Sequence, residues 1–383
     1  KGVRVVLRQE GRESHLFTQW VVGCDGAHSS VRHILGAPFE GIRMRDRFVL
    51  ADVEADSPFP EDEGQAFLSG HGVLAMLPLG RGRFRIIADR APDLESLDID
   101  EIRRLVRERL PREIPIRNPS WLSQFVITRR QVRHYREGHV FLAGDAAHIH
   151  SPVGGQGMNT GIQDAFNLGW KLALYIQGLG TAELLSSYGS EREPVARGVL
   201  RLTHRLTQLV TMRNRLGQRL RNRLLPWLLE TPWLRRRFLL RISQIGIHYR
   251  KSPVVWDFSH EPLRAGDRAP DARLLDAVSG KGVRLFNFYT DPRHVLLVFT
   301  GLRHGERVRD RVMQLRSVIE GAYSAVIVPL VIEAEVISPL HPRTLLDELG
   351  AVHRLYDADA GGLVLVRPDG VIGFRSDWRR AEK

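Results

Sequence analysis

The chain has 383 residues, of which 43% are hydrophobic and 26% charged, and it contains one cysteine. This composition is typical of a globular protein with more than one domain, and it excludes a disordered chain, a disulfide framework and a cysteine-rich zinc module. The formal net charge is +12, but residues 195–251 alone carry fourteen basic residues and one acidic residue, so the excess is local.

The first predicted elements are strands over residues 2–7 and 15–23, separated by a turn at residues 9–12. The second strand leads into Cys24-Asp25-Gly26-Ala27-His28-Ser29-Ser30-Val31-Arg32, which predicts a tight turn and a short helix ending near Gly36. Polar groups therefore follow the carboxyl end of a strand, where ligands often bind. Because Asp-Gly is also a common turn sequence, this segment alone is a weak indication of a site.

The middle of the chain predicts an antiparallel sheet with one exposed face. Its strands are expected at residues 48–53, 65–68, 72–77, 83–88 and 125–130, and an amphipathic helix at residues 98–110. Four apolar residues alternate along the strands, and core packing is favoured for them over lining a substrate pocket. These residues are Phe67, Leu74, Met76 and Phe84.

The segment that most strongly indicates chemistry begins at Gly144-Asp145 and ends at Gly157-Met158-Asn159-Thr160-Gly161. A predicted buried strand, residues 139–143, leads into an acidic side chain and then into a glycine-rich helix start at Gly154-Gly155-Gln156-Gly157. A carboxylate at a strand's end can accept hydrogen bonds from a sugar-like hydroxyl. Glycines let the backbone approach a flat or anionic ligand, and a helix N-terminus stabilises negative charge. A structural glycine turn with a buried Asp145 is the alternative.

A long helix over residues 159–176 follows, with a predicted buried stripe of Ala165, Leu168, Leu172 and Ile176. Residues 182–250 are predicted to be helical, with breaks at Pro194, Pro226 and Pro232. This is the basic region, and a solvated face is favoured for it over nucleic-acid binding or an acidic membrane surface. His28 and His33 are expected at the surface, and His148 in a structural role rather than as a metal ligand with His150.

Residues 252–270 are predicted to form a linker to a compact α/β module. Its strands are expected at residues 283–288, 294–299, 325–331, 363–366 and 371–375, and its helices at residues 306–319 and 344–349. Asp369-Gly370 is interpreted as a hairpin turn and not as a site. The module has no cysteine, which excludes Cys-x-x-Cys redox chemistry.

The two turn segments, in this order, resemble motifs of the FAD-dependent aromatic hydroxylases, the class A flavoprotein monooxygenases, in the branch of the phenol and polyketide hydroxylases. Residues 23–32 are similar to the family's DG motif, and residues 144–172 to its GD motif and following helix. Leu184–Pro194, with Tyr188, Glu191 and Arg192, continues the likeness, and the last module looks like the family's thioredoxin-like domain.

The resemblance implies a mixed α/β fold, with an incomplete Rossmann-like FAD-binding domain formed by residues 1–40 and 129–180. Residues 41–128 would form the inserted antiparallel substrate domain, 181–262 a helical segment and linker, and 263–383 a thioredoxin-like domain without Cys-x-x-Cys.

The resemblance also assigns roles to single residues. Asp145 would bind the ribityl chain, Pro152 would lie beside the flavin ring, and the N–H groups of Met158 and Asn159 would meet the N1/C2=O edge. Asp25 and Arg32 would serve the pyrophosphate region and the nicotinamide path. The predicted cofactor-binding residues are Asp25, Gly26, Arg32, Gly144, Asp145, Pro152, Gly154, Gly155, Gly157, Met158 and Asn159. The catalytic side chain is left unassigned, and no metal site is predicted.

The implied reaction uses FAD, with NADPH or NADH as reductant, and hydroxylates a small phenolic or polycyclic aromatic substrate with O₂ through a flavin C4a-hydroperoxide. The family's opening Gly-x-Gly-x-x-Gly motif does not occur in this sequence, and the first predicted strand already begins at residue 2. We therefore expect a fragment of such an enzyme, and the alternative is a non-catalytic truncated or accessory chain that acts by association. A cytoplasmic location without a membrane partner is expected, nucleic-acid binding is disfavoured, and a homodimer is left open.

Overall fold

The computed structural model describes residues 2–90, 97–151, 153–212, 214–259, 262–303, 306–335 and 342–378. The chain divides into two compact units, and each draws on two separate stretches of sequence. Unit 1 contains Lys1–Ile162 and Glu193–Ile242, and unit 2 contains Gln163–Arg192 and Ser243–Lys383. The mixed α/β class predicted from the sequence is confirmed, because helices and four sheets alternate along the chain.

The chain opens with an antiparallel hairpin of β1 (Val3–Gln9) and β2 (Arg12–Thr18). The prediction of one strand over residues 15–23 is wrong, because β3 (Val21–Gly23) belongs to a different sheet. The chain leaves the hairpin in a short connection in which Thr18 Oγ1 donates to the carbonyl of Trp20 at 3.1 Å. The short helix α1 (Ser30–Ile34) then follows β3, as expected.

A small three-stranded sheet brings the two turn segments to one edge. Its order is β3-β10-β9, with β9 at Arg136–Glu137 and β10 at Val140–Leu142. β10 is parallel to β3 and fully buried. Because parallel strands end at the same edge, the turns after β3 and after β10 start side by side. The N–H of Ala143 donates to the carbonyl of Gly23 at 3.0 Å.

The predicted antiparallel sheet is confirmed, with six strands in the order β11-β8-β4-β7-β6-β5. Helix α2 (Ile99–Arg109) packs on it and is capped by Asp98, whose carboxylate accepts the N–H of Glu101 at 2.8 Å. Leu74, Met76 and Phe84 lie in the core beneath α2, with Phe67 at its margin, in line with core packing. The strands are β4 (Phe39–Ala55), β5 (Gln65–Ser69), β6 (Gly72–Gly80), β7 (Arg83–Arg90), β8 (Ile116–Val132) and β11 (His148–Ile149).

Helix α3 (Gly157–Ile176) starts at the glycine-rich turn, as predicted, but its buried face differs from the prediction. Of the expected stripe, Leu168 is buried, whereas Ala165 and Ile176 are exposed and Leu172 is half-buried. The other buried side chains of the helix are polar or charged, namely Thr160, Asp164, Asn167 and Lys171. Charged groups are buried in proteins when they are paired and hydrogen-bonded, so this face must meet polar partners.

Three further helices are α4 (Ala182–Val210), α5 (Arg215–Glu230) and α6 (Pro232–Ile242). The breaks predicted at Pro194 and Pro226 are wrong, since both prolines lie inside helices, whereas Pro232 starts α6, where its missing N–H is harmless. Gln131 Nε2 donates to the carbonyl of Glu193, the residue before Pro194, at 3.1 Å. Residues 243–250 form turns instead of the predicted helix.

The C-terminal module is built on an eight-stranded mixed sheet in the order β12-β19-β18-β15-β16-β17-β13-β14, with helices α7 (Glu306–Ala322) and α8 (Ala351–Leu355). The predicted helix at residues 344–349 is wrong, because residues 344–346 form a strand between two others. The predicted strand at residues 283–288 ends early and continues as a 3₁₀ turn. The strands are β12 (Trp256–Asp257), β13 (Arg273–Asp276), β14 (Gly282–Arg284), β15 (His294–Phe299), β16 (Ile327–Glu333), β17 (Thr344–Leu346), β18 (Gly362–Val366) and β19 (Ile372–Asp377).

Candidate functional site

The turn after β3 is fixed by its own side chains. The hydroxyl oxygen of Ser29 accepts the N–H of Arg32 at 2.9 Å and so caps α1. The carboxylate of Asp25 accepts from the Ser29 hydroxyl and from the N–H of Val31 at 3.0 Å. Burial raises the pKa of Asp25, but these hydrogen bonds outweigh it and hold the pKa below its ordinary value. Gly26, with φ +81°, occupies the left-handed region that a glycine reaches without strain.

Arg32 joins the two turn segments directly. Its side chain is buried, with one guanidinium nitrogen donating to the carbonyl of Ala146 at 3.1 Å and the other to the carbonyl of Ala27 at 2.8 Å. The guanidinium also lies 3.9 Å from the ring centroid of Phe39. Carbonyl dipoles and the aromatic face stabilise the buried cation, and neither of these contacts carries a negative charge that would cancel it. The turn after β3 therefore presents a fixed positive charge.

The turn after β10 packs closely against α3. Gly144 has φ +58°, and a Cβ on Gly161 would lie 3.3 Å from the Cα of Gly144. Helix and turn can approach this closely only because both positions lack side chains. Gly161 was not among the predicted site residues, although the motif contains it. Asp145 follows in a 3₁₀ turn with its side chain exposed, so its carboxylate is available to a ligand.

The glycine-rich turn leads to an open helix N-terminus. Gly154 and Gly155 have φ +93° and +63°, and a Cβ on Gly155 would have open space around it. Gly157 begins α3, and Met158 and Asn159 are exposed in its first turn, where backbone N–H groups have no intrahelical acceptor. The arrangement offers donors and a partial positive charge to an anionic ligand edge. Pro152, which was predicted to border the flavin, lies outside the described residues.

A cavity of about 810 Å³ within unit 1 connects these turns to the six-stranded antiparallel sheet. Asp145 and Arg32 line it, so the structure brings together one residue from each motif. About half of the lining residues are charged or titratable, and the Nε of Arg130 is buried without a hydrogen-bond partner. The charged and titratable lining residues are His28, Arg32, His33, Arg47, Arg130, Asp145 and His150. A wall of this kind favours ligands with phosphate, carboxylate or ionised hydroxyl groups.

Sequence reasoning missed four of these lining residues. His28 and His33 are exposed, as expected, but both also border the cavity. Arg47 precedes the apolar run of β4 and pairs in register with Val126 of β8, which lines the same cavity. An arginine directly before the apolar run of residues 48–53 is the signal that could have identified Arg47. Nothing in the local pattern singles out Arg130.

The two histidines after Asp145 occupy different environments. His148 is buried, and its ring stacks parallel to that of His150 with the ring centroids 6.4 Å apart. His150 lies on the cavity, and its Nδ1 is 2.9 Å from the carbonyl oxygen of Ser151, which can only accept a hydrogen bond. Burial lowers the pKa of His150, which favours its neutral form with the proton on Nδ1. Within the described residues, no group of three or more His, Cys, Asp or Glu side chains is arranged to hold a metal ion.

The arginines of the basic region differ in their exposure. Arg221 is buried, and it donates to the carbonyls of Leu209 and Val210 at 3.1 Å each, which closes the end of α4. Arg235, Arg236 and Arg237 are exposed on α6. In the part of the chain that the structure describes, none of the helices combines the length and the apolar character of a membrane crossing.

Comparison with known proteins agrees with this geometry. A family model described as "FAD binding domain" matches residues 1–203. The 6-methylpretetramide 4-monooxygenase of Streptomyces rimosus is 32% identical over 97% of this chain and 66% of its own length. A flavin-dependent monooxygenase of Mycobacteroides abscessus is 36% identical over 99% of this chain and 68% of its own length. This chain therefore spans about two thirds of the length of these relatives.

Among solved structures, OxyS anhydrotetracycline hydroxylase from Streptomyces rimosus superimposes with a TM-score of 0.75 at 30% sequence identity. The alignment covers 98% of this chain and 69% of that one. The similarity extends through both units, since the coverage leaves almost no part of this chain unmatched.

Proposed function

This chain belongs to the FAD-binding domain family of flavin-dependent aromatic monooxygenases, and we propose that it takes part in the NAD(P)H-dependent hydroxylation of a phenolic or polycyclic aromatic compound. One observation carries the proposal: Arg32, which follows the turn after β3, and Asp145, in the turn after β10, line the same cavity beside the six-stranded sheet. The relatives act on aromatic compounds by their names, among them 6-methylpretetramide and pentachlorophenol.

The residues present fit the flavin end of FAD. The N–H groups of Met158 and Asn159 have no intrahelical acceptor, and the left-handed glycines at 154 and 155 leave the approach free of side chains. The exposed carboxylate of Asp145 can accept a hydrogen bond from a ribityl hydroxyl. We therefore propose the cofactor contacts of the eleven residues predicted from the sequence, from Asp25 to Asn159, with Gly161 added as the residue that lets α3 approach the turn.

When bound, reduced FAD activates O₂, so that one oxygen atom enters the aromatic ring and the other leaves as water at the expense of NAD(P)H. The protein's own contribution is electrostatic and steric. The N-terminus of α3 stabilises negative charge on the edge of the flavin that faces it. The cavity walls contributed by β4 and β8 hold the substrate away from bulk water.

The arginines of the cavity suit the second ligand of such a reaction. Arg32, Arg47 and Arg130 line one wall, and guanidinium groups bind phosphates with paired hydrogen bonds. We propose that they receive the phosphates of the nicotinamide cofactor. The proposal also keeps the predicted division into an FAD-binding part (1–40 and 129–180), a substrate part (41–128), a helical segment (181–262) and a C-terminal module (263–383).

Asp145→Asn tests the proposal with an isosteric loss of charge. We expect at least a tenfold loss of FAD affinity, because the carboxylate accepts a stronger hydrogen bond than an amide oxygen. FAD binding is measured by quenching of flavin fluorescence and by the visible absorption spectrum, with folding checked by circular dichroism. Asp62→Asn, in the exposed loop after β4, is the matched control and should bind FAD like the unchanged chain. Equal affinity for the Asp145→Asn chain would contradict the assignment.

A further inference from the structure

A buried cluster of charges joins α3 to the C-terminal module within unit 2. The guanidinium of Arg367, at the end of β18, donates to both carboxylate oxygens of Glu191 at 2.7 and 2.9 Å. Glu191 also accepts from Lys171 Nζ at 2.7 Å, from Asn167 Nδ2 at 2.6 Å and from Ser252 Oγ at 2.6 Å. Glu191 therefore receives five hydrogen bonds from three separate stretches of the chain.

The hairpin turn after β18 completes the cluster through Asp369. Its carboxylate accepts from Arg367 Nε at 3.0 Å, from Trp170 Nε1 at 3.2 Å and from Asn167 Nδ2 at 3.3 Å. The guanidinium of Arg367 lies 5.1 Å from the ring centroid of Trp170. Asn167, Trp170 and Lys171 are spaced three and four residues apart and so share one face of α3. The interpretation of Asp369 as a turn residue alone is incomplete, since its side chain holds this face.

The cluster has no net charge, and its charged side chains have little solvent exposure. Lys171 and Arg367 carry two positive charges, Glu191 and Asp369 two negative ones, and all four side chains are buried or nearly so. Burial would raise the pKa of Glu191, but Arg367 and Lys171 hold it far below its ordinary value. Removing one member of such a cluster leaves a buried charge unbalanced, which is much more costly than losing an exposed pair.

We propose that Arg367 and Asp369 of the C-terminal module are positioning residues for the flavin site, acting through α3. The helix is continuous from Gly157 to Ile176, so its first turn and the cluster at Asn167 lie on one element about 15 Å apart. Because the module holds one face of this helix with directed hydrogen bonds, it fixes the rotation and axial position of residues 163–176 relative to the module. The inference rests on the proposed function for its link to flavin, but the anchoring of α3 can be measured without flavin.

The test is a charge-balance cycle in the full chain. Arg367→Gln leaves the cluster with a net charge of −1, Glu191→Gln leaves it at +1, and the double variant returns it to zero. The first measurement is amide hydrogen exchange along residues 157–176, with strands β6 and β7 as the internal reference. We expect each single variant to speed exchange in α3 at least tenfold with the reference strands unchanged, and the double variant to recover most of the protection. Arg293→Gln, which removes a partly exposed pair with Asp291 on the same module, is the matched control and should change neither segment.

The second measurement is the FAD affinity and visible spectrum of the same chains. The single variants should bind FAD at least tenfold more weakly, with a spectrum closer to that of free flavin, and the double variant should recover in part. Three results for the single variants would each overturn the proposal. These are unchanged amide exchange in α3, an equal loss of protection in every segment, and faster exchange in α3 with unchanged FAD affinity. If the single variants fail to fold, Arg367→Lys carries the comparison, because it keeps the charge and loses the paired hydrogen bonds to Glu191. Unchanged exchange in α3 of the Arg367→Lys chain would then overturn the proposal. Failure of the unchanged chain to bind FAD would count against the proposed function, while the exchange result would still decide whether the module anchors α3.

Discussion

His294 gives unit 2 a measurable sensitivity to acid. It lies at the start of β15, where its ring meets Trp170 edge-on with the ring centroids 5.2 Å apart. Burial, and next the positive charge of Arg367, lower the pKa of His294 from 6.5 to about 4. Between these values the unfolded chain carries a proton on His294 that the folded chain lacks. The free energy of unfolding must therefore fall as the pH is lowered from about 6.5 towards 4.

The size of this effect follows from the shift. A difference of about 2.5 pKa units corresponds to about 3 kcal/mol in full, and about 2 kcal/mol of it is lost between pH 7 and pH 4.5. His294→Phe removes the titrating group and keeps an aromatic edge for Trp170. We expect the free energy of unfolding of this variant to depend less on pH than that of the unchanged chain, by about 2 kcal/mol over this interval.

The assay is urea unfolding at pH 7 and at pH 4.5, followed by tryptophan fluorescence and circular dichroism. Comparing differences between chains removes the contribution of carboxylates such as Glu191, which is common to both. His71→Phe, at an exposed turn, is the control and should retain the full pH dependence. If His294→Phe and the unchanged chain lose the same stability on acidification, the account of half-buried His294 as a neutral group in the folded chain is refuted.

Two further predictions concern the site. Gly161→Ala should lower the free energy of unfolding by about 1–2 kcal/mol, because the new methyl group crowds the turn after β10. Gly169→Ala, on the same helix but with open space around it, should raise the free energy of unfolding by about 0.5–1 kcal/mol. Urea unfolding compares the two variants, and equal effects would contradict the close approach of α3 to the turn. Arg32→Met should lower the free energy of unfolding by about 2 kcal/mol and FAD affinity at least tenfold, because two carbonyl groups lose their donors. Arg4→Met, at an exposed position of β1, is the control and should change neither quantity. Normal FAD binding by the Arg32→Met chain would refute the proposed role of Arg32 in cofactor binding.

The turns after β3 and β10 could be predicted from the sequence because their signals are local. A β-branched or apolar run followed by Asp-Gly or Gly-Asp specifies a strand and the turn that ends it, whatever the rest of the chain does. The same holds for α2, whose apolar stripe and Asp98 cap lie within one short segment. The arrangement of the two turns at one edge of a parallel pair then follows from sheet geometry.

The buried face of α3 could not be predicted, because its partners are distant in sequence. Lys171 and Asn167 are polar by type, and they are buried only because Glu191 and the loop of Arg367 and Asp369 come to meet them. Arg367 lies 176 positions beyond Glu191. The sequence therefore predicted an apolar buried face for α3, whereas most of the side chains buried on this helix are polar or charged. The helix predicted at residues 344–349 was wrong for a related reason. Pairing of residues 344–346 with β16 and β13 overrides a local pattern that suits a helix.

The measurement that tests the account most directly is a titration of the 383-residue chain with FAD, followed by visible absorption and flavin fluorescence. The account predicts saturable binding at one site, with a flavin spectrum shifted from that of the free cofactor, because the N-terminus of α3 and Asp145 are proposed to meet the ring and the ribityl chain. A chain that is folded by circular dichroism but leaves the flavin spectrum and fluorescence unchanged at all concentrations would contradict it.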